Sequence, residues 1–266
     1  MGIKTHITLQ EVQTLFPSFS ITSISPTKDG VIDTTYIVTT RHHKEYILKH
    51  YERDITTQVL QDASRLSFFA SSGLRVPVLE AQKQGWYLYT KLSGEVPRSI
   101  NTQHIVSLAR FMATLHTHSV NMQEEKLFID NYPLPKILHY TKHNFFAYYK
   151  KLQSLQNYTQ SNDGFIHGDI FKDNCVFDGN IIGVFDFIDG GGGSFAFDCG
   201  VALMAFSPPT RNYYNTQLFV RIYNQKAPKK LSYKELDNAM QEARQLYALL
   251  RINHHKSTKK AKALVL

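Results

Sequence analysis

Near the start of the chain, apolar positions recur first at helical spacing and then at strand spacing. Residues 8–16 are predicted to form a helix, because Thr8 suits an N-terminal cap and one face is apolar: Leu9, Val12, Leu15 and Phe16. Residues 19–52 are rich in β-branched and aromatic side chains, and the pattern over 46–51 alternates. This region is therefore predicted to form strands, with the polar run 41–44 as a hairpin turn.

A second helix and a further strand are predicted next. Residues 55–72 have helical spacing, Gly73 is a suitable stop, and the expected buried side consists of Val59, Leu66, Phe69 and Ala70. The aromatic run 86–89 predicts a central strand, and residues 92–97 are typical of a connector.

The pattern changes to helix after the connector. Apolar residues at three- and four-residue spacing predict a helix over 102–118, and the helical pattern continues to about residue 160. Short strand-like pieces separated by turns follow over 165–189. Residues 196–206 and 232–252 return to helical spacing, so this half of the chain is predicted to be mostly helical around a short hairpin.

This order of elements predicts an α+β fold in two parts. Residues 1–92 form the small strand-rich part, and residues 93–266 form the larger helical part. The chain has 266 residues, of which 42% are hydrophobic and 20% are charged. These values are typical of a globular protein with a sizeable core and argue against a disordered chain.

The cysteine content and the apolar runs limit the class of protein further. Cys175 and Cys199 are the only cysteines, which excludes a disulfide framework and a four-thiolate zinc site. No apolar run approaches the roughly 18 residues of a membrane span, and the first residues lack the apolar core of a secretory signal. We therefore expect a soluble cytoplasmic protein with no membrane partner.

The net charge is basic but does not by itself decide the function. The chain has 30 lysines and arginines against 22 acidic residues, a formal charge of +8 and a pI near 9.3. Such a balance suits a nucleic acid, an anionic membrane or an anionic small molecule. The densest basic piece, residues 254–262, is typical of a solvated tail. We find no recognition helix or aromatic platform, so no nucleic-acid partner is predicted.

One segment carries the residues that phosphoryl transfer requires. Residues 165–174 contain the pattern H-x-D-x-x-x-x-N, with His167, Asp169 and Asn174, and Asp186 follows a short apolar run. Phosphoryl transfer needs a carboxylate that orients the attacking hydroxyl, and oxygen ligands that hold magnesium against the phosphates. The alternative interpretation is that Asp169, Asn174 and Asp186 are ordinary turn residues. The order, the spacing and the apolar flanks favour phosphoryl transfer.

These residues resemble the aminoglycoside phosphotransferase and choline kinase superfamily, whose members are relatives of the protein kinases. That group has H-G-D-x-x-x-x-N, a later D-F and an aspartate that begins the next helix, which here is Asp198. The specific match covers residues 165–203. The resemblance implies a two-lobed protein-kinase-like fold, with a small antiparallel-sheet lobe and a larger helical lobe. It also implies an enzyme that transfers phosphate from ATP to a small-molecule hydroxyl.

Within this superfamily the chain looks most like the type II homoserine kinases. They have a stretch similar to residues 169–177, an N-terminal region similar to residues 30–40 and a strand similar to residues 46–49. The resemblance implies L-homoserine as the acceptor, in threonine biosynthesis. Choline, ethanolamine or an aminoglycoside is the alternative acceptor, and a nucleotide-binding pseudokinase is the alternative class.

The resemblance assigns roles to individual residues. It implies that Asp169 is the catalytic base and that Asn174 and Asp186 bind Mg²⁺. His167 and Asp198 are implied to be supporting residues that fix the catalytic loop. Among the nucleotide-binding residues, Lys49 contacts the phosphates and the loop over them contains Gly30, Thr34 and Thr35, while residues 86–92 border the adenine.

Several assignments stay open at this point. Protein kinases pair the strand lysine with a helix glutamate, but here no glutamate lies between Glu52 and Glu80, which leaves Asp62 or Gln58 as the partner of Lys49. Residues 190–193 are four glycines, which we interpret as a flexible loop near the magnesium site. An amino-acid acceptor also needs a basic group for its carboxylate, and Arg244 or Arg251 is a candidate. The oligomeric state is not predicted.

Overall fold

The computed structural model describes residues 3–27, 33–122, 124–207 and 212–265. Its first part is built on a five-stranded antiparallel sheet of order β1-β2-β3-β5-β4. The strands are β1 Ile21–Pro26, β2 Thr34–Thr40, β3 Glu45–His50, β4 Leu79–Lys83 and β5 Trp86–Thr90. Two helices accompany the sheet, α1 Leu9–Leu15 before it and α2 Thr56–Ser71 between β3 and β4.

One face of this sheet is closed by α1. Thr8 caps α1 in a capping box with Glu11, which satisfies backbone donors at the start of a short helix. A continuous apolar cluster then joins α1 to the sheet, and its fully or nearly buried members are Val12, Phe16, Ile21, Tyr36, Val38, Tyr46, Leu48, Trp86 and Leu88. The alternating residues of β2 and β3 supply this cluster, as the strand pattern predicts.

The strand register places Lys49 on the other face of the sheet. Thr35 of β2 lies directly opposite Lys49 of β3, which in turn lies opposite Tyr87 of β5. Directly opposed residues share a face of a sheet, and the neighbouring core residue Leu48 points the other way. The sheet therefore separates an apolar face packed on α1 from a face that presents Lys49.

The second part is mostly helical. Its helices are α3 Thr102–Ser119, α4 Leu134–Asn144, α5 Phe146–Leu152, α6 Phe195–Phe206, α7 Asn212–Tyr223, α8 Tyr233–His255 and α9 Lys262–Val265. Four short strands also lie in this half of the chain, β6 Gly164–Ile166, β7 Cys175–Asp178, β8 Ile181–Val184 and β9 Gly191–Gly193. β6 pairs with β9, and β7 pairs with β8. The core is formed chiefly by α4, α6 and α8, for example by Ile137, Val201 and Leu246.

The chain divides into two compact units, and the division is discontinuous. One unit comprises Met1–Ser93 together with Gly183–Ile188, and the other comprises Gly94–Ile182 together with Asp189–Leu266. The short piece that contains Asp186 therefore belongs with the sheet of the first unit. The boundary near residue 92 between two continuous lobes stays a prediction. In the structure, Asp186 belongs to the same unit as Lys49.

The predicted α+β class with an antiparallel sheet and a helical part is confirmed. Three elements were not predicted: the edge strand β4, whose sequence is mostly polar, the helix α7 and the short helix α9. The interpretation of residues 190–193 as a flexible loop is wrong, because Gly191–Gly193 form the buried strand β9. A Cβ on Gly191 would lie 2.8 Å from the backbone nitrogen of Phe128. The glycines allow close packing there.

No helix in the described part of the chain is both long and apolar enough to cross a membrane.

Close packing of α6 on α8 gives a stability prediction. A Cβ on Gly200 of α6 would lie 2.6 Å from the backbone carbonyl carbon of Ala239 on α8, which is too close for any rotamer change to relieve. We expect Gly200→Ala to lower the free energy of unfolding by about 2 kcal/mol or more. Urea denaturation measures this change.

The matched control is Gly179→Asn. Gly179 has φ +59° and nothing within 4 Å of a built Cβ, and asparagine tolerates this backbone conformation. The control should unfold within about 0.5 kcal/mol of the parent protein. Equal stability of the two variants would contradict the packing argument.

Candidate active site

The predicted catalytic loop is fixed by a buried carboxylate. Asp198 lies in the first turn of α6 and is fully buried. Its Oδ1 accepts a hydrogen bond from the backbone N–H of Gly168 at 2.7 Å, and its Oδ2 accepts one from the backbone N–H of His167 at 3.2 Å. Both predicted supporting residues, His167 and Asp198, are thus brought together. Because a buried charge is costly without partners, these two bonds hold the loop backbone firmly.

Behind Asp198 lies a second layer that the sequence did not reveal. The Nε2 atom of His116 on α3 lies 3.1 Å from Asp198 Oδ2, and its Nδ1 atom lies 2.8 Å from the hydroxyl of Tyr223 on α7. The imidazole ring stacks on Phe195 at a centroid distance of 4.1 Å. No local pattern links these residues, since they come from three different helices, one of which was not predicted.

The side chain of Asp169 contacts a tyrosine of α8, the last long helix. The Tyr247 hydroxyl on α8 lies within hydrogen-bonding distance of the Gly168 carbonyl oxygen and 3.0 Å from Asp169 Oδ1. The pKa of Tyr247 is raised well above its ordinary value, chiefly by burial and also by the charge of Asp169. Tyr247 therefore keeps its proton at neutral pH and donates it to this pair of acceptors. No pattern in the sequence indicates this contact, which joins residues 78 positions apart.

Asn174 completes the environment of the Asp169 carboxylate. Its side-chain Nδ2 donates to Asp169 Oδ2 at 2.9 Å and to the Asp169 carbonyl oxygen at 2.8 Å. The predicted pair of Asp169 and Asn174 is therefore in direct contact. Because the amide nitrogen of Asn174 is the donor here, its amide oxygen is left for another partner, and such an oxygen suits Mg²⁺.

In the other unit, Lys49 pairs with two aspartates. Its Nζ lies 2.8 Å from Asp186 Oδ1 and 3.9 Å from Asp33 Oδ2. It also lies 4.7 Å from the centre of the Tyr51 ring. Burial alone would lower the pKa of Lys49, but the charges of Asp186 and Asp33 more than offset it, and the pKa is raised. The ammonium is therefore charged at neutral pH.

The partner of Lys49 differs from both residues that the sequence offered. Asp62 lies on α2 and is buried, but its Oδ1 pairs with Arg65 Nη1 at 3.3 Å. Gln58 also lies on α2, and the carboxylates that pair with Lys49 are Asp186 and Asp33. Asp33 immediately precedes β2, where only the final fold shows its approach to β3. The missing helix glutamate thus leaves Lys49 with two carboxylate partners.

Asp186 has a backbone conformation that is uncommon for aspartate. Its φ is +69°, in the left-handed region, and strained residues of this kind concentrate at functional sites. The following residue, Phe187, is fully buried and lies 6.0 Å from the Phe69 ring of α2. Packing of Phe187 therefore anchors the segment that carries the Asp186 carboxylate.

The predicted nucleotide loop is only partly placed. Gly30 lies outside the described residues. Thr35 lies opposite Lys49 and shares its face of the sheet. Thr34 is fully buried, and its hydroxyl donates to Glu52 Oε1 at 2.6 Å, so this side chain has a structural role in the first unit. Of the two threonines, Thr35 is the one that the register places beside Lys49.

The described residues contain no group of three or more histidine, cysteine, aspartate or glutamate side chains that could hold a metal ion. Magnesium requires fewer protein ligands when nucleotide phosphates and waters supply the others. An amide oxygen from Asn174 and a carboxylate from Asp186 are ligands of the right chemistry for this ion.

The comparisons with known proteins decide the family. The family model described as "Phosphotransferase enzyme family" matches residues 23–231. This match spans most of the chain. The chain belongs to this phosphotransferase family. The predicted enzyme class, a phosphotransferase that acts on small-molecule hydroxyls, and the predicted superfamily are thereby confirmed.

Relatives and solved structures agree with this membership. A homoserine kinase of Polaromonas naphthalenivorans (strain CJ2) is 24% identical over 229 residues, which cover 76% of this chain and 72% of that protein. The fold is similar to an amicoumacin kinase in complex with AMP-PNP, Ca²⁺ and Ami, with a TM-score of 0.69 and 16% identity over 97% of this chain and 89% of that one. It is also similar to a choline kinase of Cryptosporidium parvum Iowa II, with a TM-score of 0.67 and 12% identity over 92% and 87% of the two chains. The predicted kinase-like fold is thus confirmed.

The contact between Tyr247 and the catalytic loop gives a kinetic prediction. Tyr247→Phe removes the hydroxyl that reaches Asp169 Oδ1. We expect kcat to fall about tenfold or more, because hydrogen bonds to charged groups contribute about 1.5–3 kcal/mol. The KM for the nucleotide should stay within about twofold, since the hydroxyl acts on the carboxylate and not on the phosphates.

Tyr158→Phe is the matched control. Tyr158 lies against the same core, and its hydroxyl meets Gln160 at 3.5 Å. Its loss should leave kcat unchanged. If both variants lose the same activity, the hydroxyl of Tyr247 has only a packing role.

The two cysteines give a labelling prediction. Cys175 and Cys199 are fully buried, and burial, together with the charge of Asp173, raises the pKa of the Cys175 thiol to about 12. The pKa of Cys199 is raised well above its ordinary value by burial and by Asp198. Because the thiolate is the reactive form, iodoacetamide at pH 8 should label neither residue in the folded protein and both in urea. Mass spectrometry of the native protein showing rapid labelling would contradict this.

Proposed function

We propose that this phosphotransferase transfers the γ-phosphate of ATP to the hydroxyl of L-homoserine. The observation that carries the proposal is the environment of Asp169, whose two carboxylate oxygens are held by Tyr247 and Asn174. A carboxylate with a fixed direction can orient an acceptor hydroxyl and receive its proton. Phosphoryl transfer needs little other covalent chemistry from the protein, so this positioning is central to the mechanism.

The nucleotide is proposed to bind through residues of the first unit. Lys49 carries the positive charge that phosphate oxygens require, and Thr35 lies beside it on the same face of the sheet. By the resemblance of their motif, Asp186 and Asn174 are proposed as ligands of Mg²⁺, which would neutralise phosphate charge when it is bound. The amicoumacin kinase, which has a similar fold, was solved with AMP-PNP and Ca²⁺, and this supports a nucleotide with a divalent cation.

L-Homoserine is proposed as the acceptor because of two lines of support. Two curated homoserine kinases are similar to the chain, the one from Polaromonas and one from Janthinobacterium sp. (strain Marseille) with 23% identity over 229 residues. Residues 169–177 also resemble the corresponding stretch of type II homoserine kinases. The reaction would then belong to threonine biosynthesis, in the cytoplasm. The similar choline kinase keeps choline and ethanolamine in the panel of acceptors to be tested.

A nucleotide-binding pseudokinase is the competing class, and the geometry weighs against it. The absence of the helix glutamate favoured that class. In the structure Lys49 has two carboxylate partners, Asp186 and Asp33, so the charge that the glutamate supplies elsewhere is present. The contact between Asp169 and Asn174 is also intact.

The test of the proposal is Asp169→Asn in an assay of ADP release. With magnesium, ATP and L-homoserine, we expect turnover to fall about 1,000-fold, because the amide cannot accept the hydroxyl proton. Nucleotide affinity, measured by calorimetry, should stay within about threefold, since Asp169 is not proposed to contact the phosphates. The panel of acceptors contains L-homoserine, L-threonine, choline, ethanolamine and an aminoglycoside.

The matched control is Asp173→Asn. Asp173 lies in the same loop and is exposed, so this variant should keep near-normal turnover. Equal losses in both variants would contradict the role of Asp169. Turnover of choline but not of L-homoserine would keep the mechanism and overturn the acceptor. Nucleotide binding without turnover of any acceptor would favour the pseudokinase.

A further inference from the structure

The guanidinium group of Arg251 lies beside the catalytic loop. Arg251 follows Tyr247 by four residues on α8, so the two side chains share a helix face. Its guanidinium carbon lies 5.7 Å from the centre of the Phe171 ring, and that ring meets Tyr247 edge to face at 4.8 Å. Phe171 is two residues after Asp169. A continuous line of contacts thus joins Arg251 to the proposed catalytic base.

Arg251 has no counter-ion within the ranges that the structure describes. The guanidinium contacts the Phe171 ring and also lies near enough to His255 to act on it as a like charge, but within the described residues it forms neither an ion pair nor a hydrogen bond. The side chain is only partly exposed. Two arginines of the first unit, by contrast, are paired, Arg53 with Asp33 and Arg65 with Asp62. A partly desolvated cation without a partner is unfavourable, and an anionic ligand would satisfy it.

The surrounding helices add positive charge to this region. Residues 131–162 and 243–266 contain ten lysines and arginines, and all 22 acidic residues of the chain lie elsewhere. These two stretches include α4, α5, the second half of α8 and α9, and they meet in space, for example where Lys256 lies 4.2 Å from the centre of the Tyr140 ring. The Asp169 carboxylate, which contacts Tyr247, is the negative charge on this line of contacts, and the ten basic residues of the two stretches favour an anion at Arg251.

The sequence offered Arg244 and Arg251 equally as partners for an acceptor carboxylate. Arg244 lies on α8 one turn before Tyr247, whereas Arg251 lies one turn after it. It has no ring contact with the catalytic loop, whereas Arg251 rests on Phe171. The geometry separates the two arginines, although the sequence did not.

We propose that Arg251 binds a carboxylate group of the acceptor while Asp169 orients the acceptor's hydroxyl. The proposal rests on the proposed transfer of phosphate to a hydroxyl at Asp169. It defines the acceptor class as small hydroxy acids, including hydroxy amino acids, and disfavours cationic alcohols. The planar guanidinium suits a carboxylate because it can donate two parallel hydrogen bonds.

The experiment compares Arg251→Gln, Arg251→Lys and the control Arg244→Gln with three acceptors. L-Homoserine has both charged groups, 4-hydroxybutyrate keeps only the carboxylate, and 3-amino-1-propanol keeps only the amine. Arg251→Gln should raise the KM of the two carboxylates about 10- to 100-fold, with a small change in kcat. Kinetics with 3-amino-1-propanol should not change.

The remaining variants sharpen the result. Arg251→Lys keeps the charge but loses the paired donors, so it should raise the KM of the carboxylates by an intermediate factor. Arg244→Gln should behave like the parent protein with all three acceptors. Equal changes in the Arg244 and Arg251 variants would indicate a general effect of charge and would overturn the assignment to Arg251.

The failure of this inference can be told apart from failure of the proposed function. If the parent protein turns over L-homoserine and Arg251→Gln leaves its KM unchanged, the inference is wrong and the proposed acceptor stands. If another hydroxy acid is the acceptor and its KM depends on Arg251, homoserine is wrong and the inference stands. Should turnover be too slow to follow, calorimetry of L-homoserine and 4-hydroxybutyrate with the parent and Arg251→Gln proteins decides. Equal binding of a carboxylate by the two proteins, or binding of neither carboxylate by the parent protein, contradicts the inference.

Discussion

The buried carboxylate of Asp198 is the constraint on which the geometry of the catalytic loop depends. It cannot be solvated, so its stability requires the donors of His167 and Gly168 and the imidazole of His116. Those bonds fix two successive peptide groups immediately before Asp169. This path requires a glycine at position 168, because φ is +74° there and because the Phe128 ring occupies the space that a Cβ would need. The direction of the Asp169 side chain is therefore decided by groups that take no part in the chemistry.

The groups that hold the catalytic loop are themselves held in place by core packing. His116 is held by Tyr223 and by the ring of Phe195, and Tyr247 connects α8 to the Gly168–Asp169 segment. Helix α8 is in turn packed on α6, where Gly200 allows close contact with Ala239. A polar network of this kind is effective only if every member is satisfied, since an unpaired buried group would cost more than the network contributes. Core packing and loop geometry are thus parts of one arrangement.

In the proposed mechanism, the charged residues of the two units have different roles. In the first unit, Lys49 is balanced by Asp186 and Asp33 and keeps its charge. In the second, residues 131–162 and 243–266, which include Arg251, contain ten basic and no acidic residues. The overall basic balance, which did not indicate a function from the sequence alone, therefore arises mainly from α4, α5, the second half of α8 and α9. It bears on which acceptor the protein binds.

The sequence by itself determined the α+β class, most of the helices and the phosphotransferase family, because periodicity and the spacing of His167, Asp169 and Asn174 are local properties. It could also point to Lys49 and Asp198 through the resemblance. Only the tertiary structure decided which groups meet: Lys49 with Asp186 and Asp33, Asp169 with Tyr247, and Arg251 with Phe171. It also turned the glycine run 191–193 into a buried strand, which composition had indicated to be flexible. Contacts between residues tens of positions apart depend on how helices pack, and no local pattern records that packing.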